Sequence, residues 1–421
     1  MAVRASAIAA VLATCWGASA VAGSAVSGAL SLEAGPEYFG GEYYAALVPA
    51  FTLESEPVSL ELDVPFRLRL NSDLSRERGV YRTEDWDALS DAGRVLRSLD
   101  LRLGNRTFVG HLGALAHETL GHGTIVSDYG NALLPDAQPI GLSARLAAGP
   151  VVAQVVGGNV LGLDVTAASV GIEPLSLWGE PNDRMHLSVN AAADWDPQAV
   201  STQYAAVFGA SLDGTLLRRK EAKLAPYADF NTTARGGHGL HVGILADFLI
   251  SSVELSLRAE YRHTRGPYQP EYFDLAYSLE RTTSLIEPET LGTDTSLAKA
   301  DVPFRTDDTW RAEARLRVGP VSLAADVRSR GRDPFTRALV HDASGVLEIE
   351  NGPVSVSAFV AARQFDWGHN PGRILALGEV RYRILPNLHV WTVGGRSYRL
   401  EGGGASELWQ LGGGIGGALG F

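Results

Sequence analysis

The sequence predicts an all-β fold, an antiparallel transmembrane β-barrel of about 18 strands within a range of about 16 to 20. Three observations point there. Hydrophobicity alternates with period two along most of the 421 residues. The links between alternating segments are short and rich in Gly and Pro on one side, long and polar on the other. The amino terminus reads as an export signal, and no later stretch is apolar for the ~20 residues that a spanning helix needs.

Composition agrees. The chain is 45% hydrophobic and 20% charged, so it is neither disordered nor collagen-like. In a helix-rich fold its 47 glycines would each cost roughly 1 kcal/mol against Ala. A net charge of -12 argues against a nucleic-acid partner.

Residues 1–22 carry the signal: one cation at Arg4, an apolar run from Ala5 to Ala13, and small residues at Ala18-Ser19-Ala20 or Ala20-Val21-Ala22. Thr14 before Cys15 makes a poor lipid-attachment site. Cys15 is the sole cysteine, so the mature chain, 23–421, would be a thiol-free single barrel domain with no plug. The uncharged stretch Leu146 to Leu163 is broken by Gly149-Pro150 and Gly157-Gly158 and reads as two strands rather than a helix.

The strands follow from alternation. From Pro57 to Leu70, Val58, Leu60, Leu62, Val64, Phe66, Leu68 and Leu70 share one face, and Glu61, Asp63, Arg67 and Arg69 the other. A helix would scatter them around its axis. Val253, Leu255, Leu257 and Tyr261 oppose Glu254, Arg258, Glu260 and Arg262; Trp310, Leu316 and Val318 oppose Arg311, Glu313, Arg315 and Arg317. Val321 to Arg328 and Glu379 to Ile384 repeat the pattern. Several runs reach the ~9–11 residues of a tilted spanning strand. Backbone groups in hydrocarbon must all be paired, so such strands close into a barrel. In chain order the segments are 28–35, 41–53, 57–70, 95–104, 107–116, 139–148, 151–158, 163–176, 184–195, 201–212, 221–231, 237–247, 252–264, 307–318, 321–330, 338–350, 354–365, 373–384, 387–400 and 407–421.

Gly-Pro-Val at Gly149, Gly319 and Gly352, with Leu385-Pro386-Asn387, marks the short turns. The long links are Asn71 to Gly93, His117 to Gln138, Arg265 to Arg305 and Asp366 to Gly372. Tyr43, Tyr44, Trp178, Tyr261, Tyr272, Trp310, Tyr382, Trp391 and Trp409 lie within or near strand ends, where an interfacial aromatic girdle belongs.

The last segment, Glu407 to Phe421, resembles the terminal strand of bacterial outer-membrane β-barrel proteins. Phe421 ends it, with Leu419, Gly417, Ile415, Gly413, Leu411 and Trp409 on the same face. It departs from the family pattern in using glycine at two of those positions. The resemblance implies a porin-like barrel of a Gram-negative outer membrane, recognised by the barrel-assembly machinery through the Phe421 strand and set in lipid and lipopolysaccharide. No cofactor is implied.

Charged strand residues are expected to face the lumen, because a lipid-facing Arg near the midplane costs about 2–4 kcal/mol. The expected pore lining is Arg67, Arg69, Arg258, Arg262, Arg311, Glu313, Arg315, Arg317, Arg328, Glu379, Arg381 and Arg383. Facing rows of Arg and carboxylate would create a transverse field across a water-filled pore, or would neutralise one another and support the wall.

The link from His117 to Gln138 is counted as following the sixth strand and as the third outer loop, which in many porins folds into the lumen. His117, Glu118, His122 and Asp128 are therefore the candidate constriction residues. His117 and His122 are five apart with Gly121 between them, so they miss the i, i+4 spacing of a helical zinc site; no metal is expected. Asp85 to Arg97 suggests a short amphipathic helix with acids first and Arg94 and Arg97 last.

The leading expectation is a channel for passive diffusion of small hydrophilic solutes or ions, not an enzyme. The alternatives are a closed-lumen barrel acting in structure or adhesion, and a lipid-acting hydrolase using Ser127, His122 and Asp128.

Overall fold

The computed structural model describes residues 26–71, 78–87, 89–104, 107–132, 138–162, 164–178, 185–195, 205–280, 307–332, 339–366, 373–401 and 404–420. The signal segment 1–22 and Phe421 lie outside the described residues. Twenty strands, the upper end of the expected range, form one closed antiparallel cylinder. They are β1 (Ser27–Phe39), β2 (Glu42–Glu54), β3 (Val58–Asp63 and Phe66–Arg69), β4 (Leu96–Leu103), β5 (Phe108–Gly113), β6 (Gly141–Ala148), β7 (Val151–Gly157), β8 (Val165–Ile172), β9 (Met185–Asp194) and β10 (Ala205–Gly214). The circuit continues through β11 (Ala222–Thr233), β12 (His238–Ile250), β13 (Val253–Arg265), β14 (Asp307–Val318), β15 (Val321–Arg332), β16 (Leu339–Asn351), β17 (Val354–Phe365), β18 (Arg373–Leu385), β19 (Leu388–Glu401) and β20 (Gly404–Gly420).

Each strand pairs with the next, and β1 closes on β20 with Ala29 opposite Gly420 and Phe39 opposite Gln410. The run from Pro57 to Leu70 is one stave interrupted at Val64-Pro65, where proline has no N–H for the ladder. The closing seam is thin. A Cβ on Gly35 would lie 1.9 Å from the Gly413 carbonyl oxygen, and one on Gly414 2.2 Å from that of Ala34, so only glycine permits this approach.

Alternation sets the faces. Leu30, Leu32, Val189, Phe208, Phe230, Leu411 and Ile415 are exposed outward, where hydrocarbon would cover them. Tyr43, Tyr261, Trp310, Tyr382 and Trp409 are exposed in the same way and fit a girdle. Tyr44 and Tyr272 are instead buried: Tyr44 lies beside Glu42 and Arg69, and Tyr272 packs in the cluster inside the barrel.

Gly149, Gly319 and Gly352 adopt φ of 57°, 54° and 58° in the two-residue turns at one end of the barrel. The rule of short turns there has one large exception, the link after β8, which contains a 3-10 turn at Pro174–Trp178. At the other end the expected third loop follows the fifth strand, not the sixth. It is still the third link at that end, because Gly40-Gly41 forms the first.

Candidate functional site

Two links leave the outer end and turn into the barrel. The first, residues 114–132, makes a narrow hairpin in which Glu118 and Tyr129 exchange backbone hydrogen bonds of 2.9 and 2.8 Å. Asn131 fixes its base: the side-chain oxygen accepts from Leu115 N at 2.7 Å, and Nδ2 donates to Gly158 O at 2.8 Å. Its tip crosses to the far wall. There His122 donates to Asp229 on β11 at 2.8 Å, lies 3.2 Å from Asp213 on β10, and stacks on Tyr227 at 4.3 Å. Burial disfavours the imidazolium, yet the bonds to Asp213 and Asp229 outweigh it and push the His122 pKa up to about 9.

The second is residues 266–280, regarded above only as a long polar link. Phe273–Asp274 forms a parallel bridge with Val126–Ser127 of the first, and Glu271 N donates to Thr124 O at 2.9 Å. Tyr268, Tyr272, Phe273 and Tyr277 pack with Leu120, Ile125, Val126 and the inner wall residues Val165 and Val207. This apolar cluster is the barrel's interior core. The sequence signal was there: four aromatics in ten residues of a link whose other residues are mostly polar.

Around these loops the wall arginines are paired. Cross-strand register puts Glu260 opposite Arg311, Arg311 opposite Arg328, and Arg328 opposite Asp342, a row of charge at one height. Glu271 accepts from Arg262 at 2.7 Å, from Arg311 at 2.6 Å, and from Arg328. Burial pushes its carboxyl up, but those three guanidiniums hold it well below the usual carboxylate range. Asp274 accepts from Arg328, Arg330 and Arg363 at 3.3, 3.0 and 2.6 Å. Arg311 also reaches Asp326 at 2.6 Å and Glu313 at 3.2 Å. Glu260 binds His241 at 3.1 Å, Arg258 at 2.5 Å, and Arg262 and Tyr227.

The expected lining thus divides. Arg69, Arg258, Arg262, Arg311 and Arg328 face inward but are locked in ion pairs; Arg69 binds Glu42 at 2.8 Å and Glu84 at 2.5 Å. Arg315 bonds Glu313 at 2.7 Å yet keeps 61% of its side chain exposed, and Arg317 continues that face. Arg381 binds Glu33 at 2.9 Å and Glu379; Arg383 donates to Gly352 O at 2.9 Å at the rim. Arg67 pairs with Glu37 and, at 3.1 Å, with Asp85.

The four loop candidates do not converge. Glu118 accepts from Ser143 Oγ at 2.8 Å, and His117 Nδ1 stands 3.9 Å from Asp128 while His122 faces the wall. Ser127 Oγ accepts from Arg311 at 3.2 Å, whereas both His122 nitrogens are engaged by Asp213 and Asp229. That geometry supplies no base for Ser127. Two 3-10 turns, at Thr83–Asp85 and Leu89–Arg94, stand in place of the expected helix. Asp85 is turned inward as a hub for Arg67, Arg82 and Arg94.

Opposite the packed half an interior cavity of about 420 Å³ remains. Glu37, Arg67, Arg94, Arg97, Phe359 and Arg396 are among its walls, and its arginines are ion-paired: Arg67 with Glu37 and Asp85, Arg82 and Arg94 with Asp85, Arg97 with Asp63 at 3.4 Å, and Arg396 with Glu407.

No protein-family model matches the chain, and neither does any curated protein sequence. Among solved structures it is similar to OpdK of Pseudomonas aeruginosa with vanillate, at 12% identity and a TM-score of 0.38 over 94% of this chain and 99% of that one. It is also similar to OpdH of that organism at 10% identity and 0.38, over 94% and 98%. OpdQ gives 8% and 0.38 over the same shares. The fold of this chain, a closed antiparallel cylinder with an apolar outer band and a charged interior, is that of an integral barrel of the outer-membrane type.

Proposed function

We propose that the chain is an outer-membrane channel for passive diffusion of small hydrophilic solutes or ions. The observation that carries this reading is the cavity beside the inserted loops, inside the cylinder and walled by arginine. Loops 114–132 and 266–280 pack against β6 to β17, so the path runs along the other side, between β1, β3 and β4 and the β17 to β20 wall. Solutes are sieved by that reduced width and by the charge on Arg67, Arg94, Arg97 and Arg396. Nearer the rim, the more open Arg315, Arg317, Glu379, Arg381 and Arg383 screen what enters.

The apolar band contacts lipid, and the loop end contacts lipopolysaccharide. The strand that ends in Phe421 is the handle for the assembly machinery. The engaged nitrogens of His122 weigh against the hydrolase reading.

Single-channel recording of the refolded protein in a planar bilayer tests the proposal, with reversal potential taken across a salt gradient. Steady openings are expected. No conductance from a folded, heat-modifiable barrel would refute the channel and favour a closed structural or adhesive barrel.

A further inference from the structure

The cavity on the path has two unlike sides. One carries its arginines, each already holding a carboxylate: Arg67 that of Glu37, Arg94 that of Asp85, and Arg97 that of Asp63 at 3.4 Å. An anion would have to displace one of those carboxylates. A hydroxyl needs only an exposed edge, and Arg97 keeps 42% of its side chain exposed.

The other side is apolar, where the interior of a water-filled barrel is polar. Along β18 the inward residues are Leu377, Glu379, Arg381 and Arg383, so parity turns Leu377 into the lumen behind three charged neighbours. Register sets Phe359 of β17 opposite Leu377, and Val393 of β19 opposite Glu379, on the same face. All three apolar residues line the cavity, and Leu377 keeps 48% exposure. They lie outside the buried cluster that the inserted loops form. Across from them stands His117 of loop 114–132, with 49% of its side chain exposed. Its ring lies 6.5 Å from that of Phe359, at 61° between planes. Its φ is 61°, a conformation that residues other than glycine rarely adopt, and strain of this kind collects where ligands are gripped.

We infer that the cavity holds an uncharged amphipathic solute, its aromatic group against Phe359, Leu377 and Val393 and its hydroxyls toward the arginine side. A volume of about 420 Å³ with largely apolar walls and a few polar groups is of the size that binds small molecules. The inference rests on the channel reading and names the solute that the channel retains. His117 and Phe359 meet the edges of the bound ring, and the paired guanidiniums orient the hydroxyls.

The test uses the full chain refolded in planar bilayers, with phenyl β-glucoside against methyl β-glucoside, two uncharged sugars that differ in the aromatic group. The readout is the ratio of their half-blocking concentrations for ion current within each protein. In the native chain phenyl β-glucoside is expected to block at a concentration about fivefold lower. In Leu377→Ser the ratio should fall toward one. No block by phenyl β-glucoside, a ratio of one in the native chain, or the same ratio in both proteins would overturn the inference while leaving the channel intact. Should Leu377→Ser fail to give a heat-modifiable barrel, His117→Asn, whose new side chain tolerates positive φ, carries the comparison on the same terms. Should the native barrel not conduct, the channel reading fails. Saturation-transfer NMR of phenyl β-glucoside with the barrel in lipid nanodiscs then decides the cavity, and transfer that is absent, or equal in native chain and variant, overturns the inference.

Discussion

His122 is the latch of the first inserted loop, and its protonation sets how firmly that loop is held. The folded-state pKa of about 9 lies above the ordinary value of 6.5. A group raised in this direction contributes its stability in full below the ordinary value and loses it as pH rises through the folded value. The window is therefore about pH 6.5 to 9, and the difference corresponds to roughly 3 kcal/mol at about 1.4 kcal/mol per unit. The assay is hydrogen exchange of the amides from 118 to 129 in the refolded barrel, corrected for the base-catalysed intrinsic rate. Protection should hold up to about pH 6.5, then fall by about two orders of magnitude by pH 10. In His122→Gln it should be low throughout and flat with pH. Asp213 would keep His186 at 3.2 Å and Asp229 would keep Thr124 at 2.9 Å, so the wall itself should be unaffected. Protection in the native chain that does not change between pH 6 and 10 would refute the latch.

Arg311→Ala leaves Glu271, Asp326 and Glu313 short of a partner in a buried network, and should cost about 3–5 kcal/mol in urea unfolding from lipid vesicles. Arg315→Ala, at a side chain 61% exposed, should cost under about 1 kcal/mol. Arg97→Ser should move the reversal potential toward cations, because it removes a cation from the cavity wall; an unchanged potential would place the path elsewhere. Gly414→Val forces a side chain against the Ala34 carbonyl, and gel mobility should show a smaller heat-modifiable fraction than for the native chain.

The wall was legible because one residue carries one bit, inward or outward, and Leu257 against Arg258 or Trp310 against Arg311 states it without tertiary information. Which charges cancel was not legible. Parity places Arg311 inside, but its partners Glu271 and Asp326 depend on register and on a loop that returns from forty residues away in sequence. The second inserted loop was missed for a related reason. Tyr268 and Thr124 touch across 144 residues, and no local period records such a contact. Asp85 misled for the opposite reason: acids before Arg94 fit a helix locally, while three arginines inside the barrel offered that carboxylate a stronger site.

The strands are unequal. From β4 to β8 they have 8, 6, 8, 7 and 8 residues, whereas β12 to β19 have 12 to 14 and β20 has 17. At ~3.3 Å per residue and ~40° of tilt, a seven-residue strand rises about 18 Å and a thirteen-residue strand about 33 Å. An apolar band of about 25 Å is overtopped on one side and unmet on the other. Hydrophobic mismatch of this kind is relieved by leaning and by local thinning of the bilayer. The cylinder should thus sit inclined, with the membrane drawn in along the arc from Leu96 to Ile172.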